Sequence, residues 1–338
     1  MIRNHKRVGL IGVGTISEWH ARALRAAGLE ITAVSTRSSS QRLHDFATRH
    51  GIAHVFDDWR AMLEKRNHWN ALLIATHPDG TPDILSAALD LNVPILVEKP
   101  VAWTSARLAK LCATAHDRVI VGYNRRFYRP VREARREARQ GPPLIAHLSL
   151  PEAVIPAGES VPAGRYLEPF FENSCHGLDL ARFILGNLHV KAVQRLMTGT
   201  GHLSGLVALL STDRGDLVQL TGNWGAPANF AFSLNRAGRR FELSPFELAT
   251  VYEGMDVLEP SDGCPVRRYM PREIRKIILD DADLREKPGF VGQSVALGTM
   301  IEGNSRPVLA ASLRDALAVV ELCENLAGMS YPAVQATD

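Results

Sequence analysis

The strongest constraint on the fold lies within the first thirty residues. An apolar run, Val8-Gly9-Leu10-Ile11, passes into Gly12-Val13-Gly14-Thr15-Ile16-Ser17. A helical pattern then extends from Ser17 to Ala27 and stops at Gly28, a residue suited to a helix end. The order strand, glycine turn, helix gives a G-x-G-x-x-S version of the loop whose amides hold a pyrophosphate at a helix start, with serine where a third glycine usually permits close helix–strand packing. Gly12, Gly14, Thr15 and Ile16 are the candidate loop residues. A glycine turn that binds nothing has the same local pattern, so the flanking segments must decide.

They continue the alternation. The next strand, Ile31–Val34, ends in Ser35-Thr36-Arg37-Ser38. Sites selective for NAD place an acidic side chain at about this distance from the glycines, where it bonds the ribose 2′-hydroxyl. Here Thr36 and Arg37 stand instead, with hydroxyls around them, a set that accepts a 2′-phosphate. NADP(H) is therefore favoured, with NAD(H) possible, and Ser35, Thr36 and Arg37 join the candidate cofactor residues. Helix 41–50, strand 54–56, helix 59–65, strand 71–75, helix 82–91, strand 95–97, helix 104–115 and strand 118–122 follow. Such regular alternation predicts a doubly wound parallel sheet over residues 1–122.

One stretch of this region carries reactive chemistry. Ile95-Leu96-Val97 reads as a buried strand and breaks into Glu98-Lys99-Pro100. Either this is a surface turn after an edge strand, or it holds an ammonium at the carboxyl end of a parallel sheet, where open α/β sheets bind ligands.

Taken in order, Gly12-x-Gly14, Ala75-Thr76-x-Pro78, Glu98-Lys99-Pro100, Gly122-Tyr123-Asn124-Arg125-Arg126-Phe127, His176-x-x-Asp179 with Leu185-Gly186, and Ser312-Leu313-Arg314-Asp315-Ala316-Leu317 resemble the glucose–fructose oxidoreductase/inositol dehydrogenase/MocA family. The resemblance covers nearly the whole chain. It implies an N-terminal Rossmann domain and a C-terminal α+β domain, here 123–338, with a large, mainly antiparallel open sheet that often serves oligomer contacts. It also implies hydride chemistry between nicotinamide and a sugar or cyclitol hydroxyl. Carried over, Lys99 touches the reacting hydroxyl, the Lys99–Pro100 bond is cis, and His176 is the proton acceptor. Glu98, Thr76, His77 and Asn124 fall beside the cofactor, while Asn124, Arg126 and Asn173 fall on the substrate side. The pattern departs at His77, where relatives commonly have proline, and at Thr81, where they have histidine. It departs again at Glu172, which replaces the orienting aspartate, and at Ser174, which replaces a glycine.

The residues themselves add detail. Glu172, His176 and Asp179 lie four and three apart and would share one face of a continuous helix, leaving either carboxylate to orient the imidazole. The arginines at 132, 135, 136 and 139, interleaved with Glu133 and Glu137, read as a solvated helix face with intrahelical ion pairs. A sharper reading gives Arg125 or Arg126 an anionic substrate such as a nucleotide-linked sugar. Residues 151–166, rich in Pro, Gly, Ala and Glu, read as a long loop and candidate flap. Alternating segments from Val190 to Glu253 predict an antiparallel sheet, and helices are expected at 291–303 and 313–326, the latter capped by Ser312.

Composition excludes several classes. A chain of 338 residues favours two domains. A net charge of +3 gives no reason to expect nucleic acid or a membrane surface. The four cysteines are dispersed without a CxxC, so neither a metal site nor a disulfide framework is expected. The N-terminal apolar run is short and glycine-broken, and no stretch approaches about 18 apolar residues, so a cytoplasmic setting is expected. The combined expectation is an NADP(H)-dependent dehydrogenase or ketoreductase of a sugar, cyclitol or nucleotide-linked sugar, self-associating through its C-terminal sheet. Two alternatives share the fold. One is a nucleotide sensor without turnover; the other is a sugar-modifying enzyme that recycles a tightly held cofactor.

Overall fold

The computed structural model describes residues 6–152, 167–198 and 203–328. Most of the candidate flap, residues 153–166, lies outside them. The chain forms two compact units. One contains the chain up to Phe127 together with Asp281–Glu324, and the other contains Tyr128–Asp280 with Asn325–Ala327. The expected division at 122/123 is therefore displaced by a few residues, and the region assigned to the second domain is interrupted, because 281–324 return to the first.

The first unit is built on a parallel sheet of β1 (Arg7–Ile11), β2 (Glu30–Ser35), β3 (His54–Phe56), β4 (Ala71–Ile74), β5 (Ile95–Val97) and β6 (Val119–Val121), in the order β3-β2-β1-β4-β5-β6. β4, β5 and β6 are buried throughout, as continuous apolar strands covered on both faces must be. Five helices alternate with them: α1 (Thr15–Ala26), α2 (Gln41–His50), α3 (Trp59–Glu64), α4 (Thr81–Leu89) and α5 (Ser105–Thr114). The strand order reverses between β1 and β4, which places a topological switch point at the glycine turn.

The returning segment completes this core. Ala296, Leu297, Met300 and Ala310 pack in one cluster with Val8, Leu10, Leu24, Leu73 and Ile120. Val121 and Ala311 form an antiparallel bridge beside β6. Ser312 Oγ accepts from the Asp315 amide at 3.1 Å, and Asp315 accepts from the Ser312 amide and hydroxyl at 2.7 Å each. This reciprocal cap opens the last helix, Leu313–Ala327.

The second unit carries an eight-stranded mixed sheet. Its strands are β7 (Ile145–Ser149), β8 (Leu188–Met197), β9 (Leu203–Thr212), β10 (Leu217–Asn223), β11 (Ala231–Arg236), β12 (Arg239–Leu243), β13 (Leu248–Leu258) and β14 (Arg268–Ile278). Only β7 and β10 pair in parallel; the other neighbours are antiparallel. Helices α6 (Arg129–Arg139) and α7 (Cys175–Leu185) pack together. Strict alternation along β7 and β10 buries Ala146, Leu148, Val218 and Leu220 and leaves Ile145 and Leu217 exposed. Val207 and Leu209 of β9 lie opposite Thr221 and Gln219 on that same open face.

α6 corrects one expectation about charge. Glu133 pairs within the helix, with Arg136, but Glu137 reaches Arg239 on β12 at 2.8 Å. The helix's last carbonyls, of Glu137 and Ala138, accept from Arg236 at 2.8 and 2.6 Å, so an arginine from β11 closes its negative end.

Asp315 supplies a pH test of the first unit. Burial works against its ionisation, yet Arg126 and Ser312 outweigh that cost and hold the carboxyl below the usual aspartate range. A depressed folded-state pKa contributes stability above the unfolded-state value, about 4, and loses it as pH falls through the folded value. Urea midpoints measured from pH 7 to 3 should therefore show Asp315→Asn below the wild type at neutral pH, with the gap closing below about pH 4.

Candidate functional site

Each unit contributes a set of chemically capable residues. In the first, the end of β1 turns at Gly12 with φ +99°, and a Cβ there would lie 2.3 Å from the Ala75 carbonyl oxygen. Only glycine fits, because the β1 turn and the β4 turn touch backbone to backbone. The Gly12 amide donates to the Ser35 carbonyl at 2.8 Å, tying the loop to β2. Ser17, in the place of a third glycine, donates its hydroxyl to the Gly12 carbonyl at 2.9 Å and is fully buried. The serine thus serves the turn itself.

α1 starts at Gly14, with no side chain capping its first amides and open space where a Cβ would project. Backbone donors at a helix start, approachable to an anion, are what a pyrophosphate needs. Thr15 is exposed and Ile16 half-buried at this start. At the end of β2, Ser35 is fully buried, and its Oγ has no partner among the described residues. Thr36 donates its hydroxyl to the Ser38 carbonyl at 2.6 Å, and Arg37 is exposed. These residues fit a dinucleotide: a glycine cradle, uncapped amides and hydroxyls at the neighbouring strand end.

After β4, the Thr76 and Thr81 hydroxyls lie 2.7 Å apart, and Thr81 Oγ1 also lies 3.1 Å from the Thr76 carbonyl oxygen and 3.0 Å from that of His77. Thr81 therefore locks the turn. His77 is exposed and stands 3.1 Å from Asp79, whose other oxygen accepts from Trp103 Nε1 at 2.8 Å.

Glu98-Lys99-Pro100 follows β5 at the carboxyl edge of the sheet, and the Lys99–Pro100 bond is cis. Lys99 is half-buried, while Glu98 is only 8% exposed. One Glu98 oxygen lies 2.7 Å from His20 Nε2, and the other accepts from the Lys99 amide at 3.1 Å. Burial disfavours the ionised carboxyl, but the His20 hydrogen bond and charge, with Lys99, pull its pKa below the usual glutamate range. Glu98, expected beside the cofactor, has both oxygens engaged within the protein. Asn124 donates to the Pro288 carbonyl at 2.8 Å from a tight turn after β6, and Arg126, 4% exposed, lies 3.4 Å from Asp315.

Two residues of this unit escaped the sequence reading. His20 had a visible signal, since it shares the buried face of α1 with Ser17, Ala21 and Leu24. Lys287 had none. Its ammonium lies 5.4 Å from the Phe290 ring centre and 6.0 Å from that of Trp19. Burial lowers its pKa, and Lys99 and Arg125 push the same way against Glu98. A cationic neighbourhood therefore surrounds the lysine turn.

In the second unit, His176 (7% exposed) and Asp179 (1%) lie three apart on α7. Glu172 departs from expectation: Phe170–Ser174 is a π-helical turn, so Glu172 does not precede His176 on an uninterrupted α-helix. The turn is tied down by Glu152, a buried carboxylate that accepts from Ser174 Oγ and, at 3.1 Å, from Asn173 Nδ2. Asn173, expected on the substrate side, thus bonds a neighbouring acid, and Ser174 spends its hydroxyl on the same group. Gly177 allows α7 to approach β7's end, where a Cβ would lie 2.3 Å from Leu150 Cδ2.

A doubly wound sheet with an anion-ready glycine loop at its switch point defines a dinucleotide-binding α/β protein. Residues 6–123 match the family model described as an oxidoreductase family with an NAD-binding Rossmann fold. The match covers the leading part of the first unit, and the curated relatives include inositol 2-dehydrogenases and the rhizopine catabolism protein MocA of Rhizobium meliloti. Among curated relatives, an inositol 2-dehydrogenase of Acidothermus cellulolyticus is 30% identical over 187 residues, covering 53% of this chain and 53% of that protein. The chain thus spans about half the length of that relative. Among solved structures, a levoglucosan dehydrogenase in complex with NADH and L-sorbose matches with TM-score 0.75 at 15% identity, covering 97% of this chain and 99% of the other. A 3-ketoreductase from Actinomadura kijaniata in complex with NADP and TDP-benzene matches with TM-score 0.68 at 18% identity, covering 95% and 96%. At these identities the structural matches establish the shared fold.

The two loop glycines should behave differently when replaced. Gly12→Ala should cost about 1–3 kcal/mol or more from strained backbone alone. Gly14→Ala, with φ −70° and open space, should leave stability within about 0.5 kcal/mol. Denaturant midpoints of the two variants check this.

Proposed function

We propose that the protein is a nicotinamide-dependent oxidoreductase that interconverts a secondary alcohol and a ketone on a sugar, cyclitol or nucleotide-linked sugar, with NADP(H) the favoured cofactor. The observation that carries this reading lies within the first unit: the uncapped start of α1 at the switch point and the cis Lys99–Pro100 turn after β5 occupy the carboxyl edge of one parallel sheet. The relatives' names, an inositol 2-dehydrogenase and a levoglucosan dehydrogenase, support the substrate class.

Gly12, Gly14, Thr15, Ile16, Ser35, Thr36 and Arg37 would hold the dinucleotide, with Thr76 and His77 at its edge. When bound, the nicotinamide supplies hydride chemistry. Lys99 stabilises the developing alkoxide by its positive charge. His176 accepts the hydroxyl proton, or returns it in the reductive direction, as an imidazole with a pKa near neutrality can. Asp179, on the same helix face, is the better placed carboxylate to orient that ring, with Glu172 across the π-helical turn as the alternative. Asn124 fixes the turn beside Lys99, Arg125 faces an anionic substrate group, and Arg126 serves the Asp315 cap.

Fluorescence titration separates the cofactor arms: NADPH should bind at least tenfold more tightly than NADH, and Arg37→Ala should erase most of the difference. Lys99→Ala should lower kcat by roughly a hundredfold to a thousandfold, with the NADPH Kd within about threefold. Binding without turnover on a polyol and ketosugar panel would favour the sensor reading. Cofactor that survives gel filtration would favour the recycling one.

We propose further that a second copy of the chain covers the open sheet face, on which Ile145, Val207, Leu209 and Leu217 are exposed. Light scattering should give at least twice the monomer mass, and Leu209→Lys should shift the protein toward monomer.

A further inference from the structure

His20 is absent from every role assigned above, yet it is fully buried and sits on the helix that begins at the glycine loop. A buried imidazole commonly fills space or binds a backbone carbonyl. This one meets a buried carboxylate, Glu98, at 2.7 Å. A carboxylate oxygen can only accept, so in this contact Nε2 is the donor. The ring is held from its other side by Phe290, with centroids 4.6 Å apart.

The carboxylate has little freedom. One oxygen takes the His20 proton donor and the other takes the Lys99 amide at 3.1 Å. Its third side is closed by Gly122, where a Cβ would come within 2.9–3.1 Å of all three carboxylate atoms. The peptide it holds is the one that begins the reacting lysine. A change in the carboxylate's position would therefore move the origin of the Lys99 side chain.

We infer that His20 is a positioning residue for hydride transfer: through Glu98 it fixes the Lys99 peptide and ties it to the helix that starts at the cofactor loop. This rests on the reading of Lys99 given above. Glu98 is then a relay between α1 and the lysine turn, and Gly122 is required so that the carboxylate can lie flat against the β6 turn. Misplacement of a reacting group by about 1 Å can cost roughly a hundredfold in rate, so a loosened turn should be visible in kcat while cofactor binding persists.

Four proteins test the inference: wild type, His20→Leu, His20→Gln and Glu98→Gln. His20→Gln keeps a donor toward Glu98, whereas Glu98→Gln preserves shape and replaces one acceptor with a donor. For each, kcat, KM and the NADPH Kd are measured, together with hydrogen exchange of the segment carrying the Lys99 amide. His20→Leu and Glu98→Gln should lower kcat tenfold to a hundredfold with Kd within about threefold, and should speed exchange at that amide. His20→Gln should recover most of the rate and the protection. Unchanged kcat and exchange in both disruptive variants would overturn the inference. So would equal loss of kcat and cofactor affinity in His20→Gln and His20→Leu, which marks a merely structural histidine. If the wild type itself turns over nothing, the hydride-transfer reading fails and takes the catalytic role of His20 with it. The exchange comparison then still upholds or overturns the mechanical link between His20 and the lysine turn. Should His20→Leu not fold, the two near-isosteric glutamine variants carry the comparison.

Discussion

The first unit depends on one close approach. At the switch point the backbone leaving β1 passes so near the backbone leaving β4 that a single added carbon at Gly12 would collide with the Ala75 carbonyl. That contact fixes where α1 begins, and with it the direction of the first amides. It also brings the ends of β1, β4 and β5 to one edge, because β4 pairs with both of the others. Three candidate groups of this unit are a short walk along the chain from those strand ends: the glycine loop, the threonine lock at 76 and 81, and the Glu98–Lys99 turn.

Around that edge, charge is managed by burial and partnering. Glu98 is costly to bury and is retained only with two donors and a glycine wall. Arg126 and Asp315 repeat the logic one strand away, where a buried guanidinium meets a carboxylate already committed to a helix cap. Buried pairs of this kind gain little net stability but are expensive to break, so they serve geometry more than affinity.

Much of the first unit was legible because parallel strands announce themselves. β4, β5 and β6 are short, wholly apolar runs between turn residues. What was illegible depended on partners distant in sequence. β14, with Pro271 and arginines at 268, 272 and 275, lacks an apolar pattern because it is an edge strand exposed along nearly its whole length. The π-helical turn at Phe170–Ser174 leaves no mark in spacing, so Glu172, His176 and Asp179 read as one helical face when only the last two lie on α7. Glu137 looked like an intrahelical partner, and only the placement of Arg239 on a neighbouring strand shows otherwise. Lys99 and His176 could be named as candidates from sequence motifs, whereas His20 and Glu152, which bond the turns before them, could not.

The return of residues 281–324 has a consequence for how the chain matures. The first unit is discontinuous in sequence, with nearly all of the second unit, Tyr128–Asp280, encoded between its parts. Ala296, Leu297, Met300 and Ala310 belong to the same apolar cluster as Val8 and Leu10, yet they leave the ribosome last. Domains generally fold in the order of their synthesis. Here the amino-terminal unit must wait, its core open along one flank, until almost the entire chain has emerged. The dinucleotide loop, although written first, is among the last features to acquire its finished support.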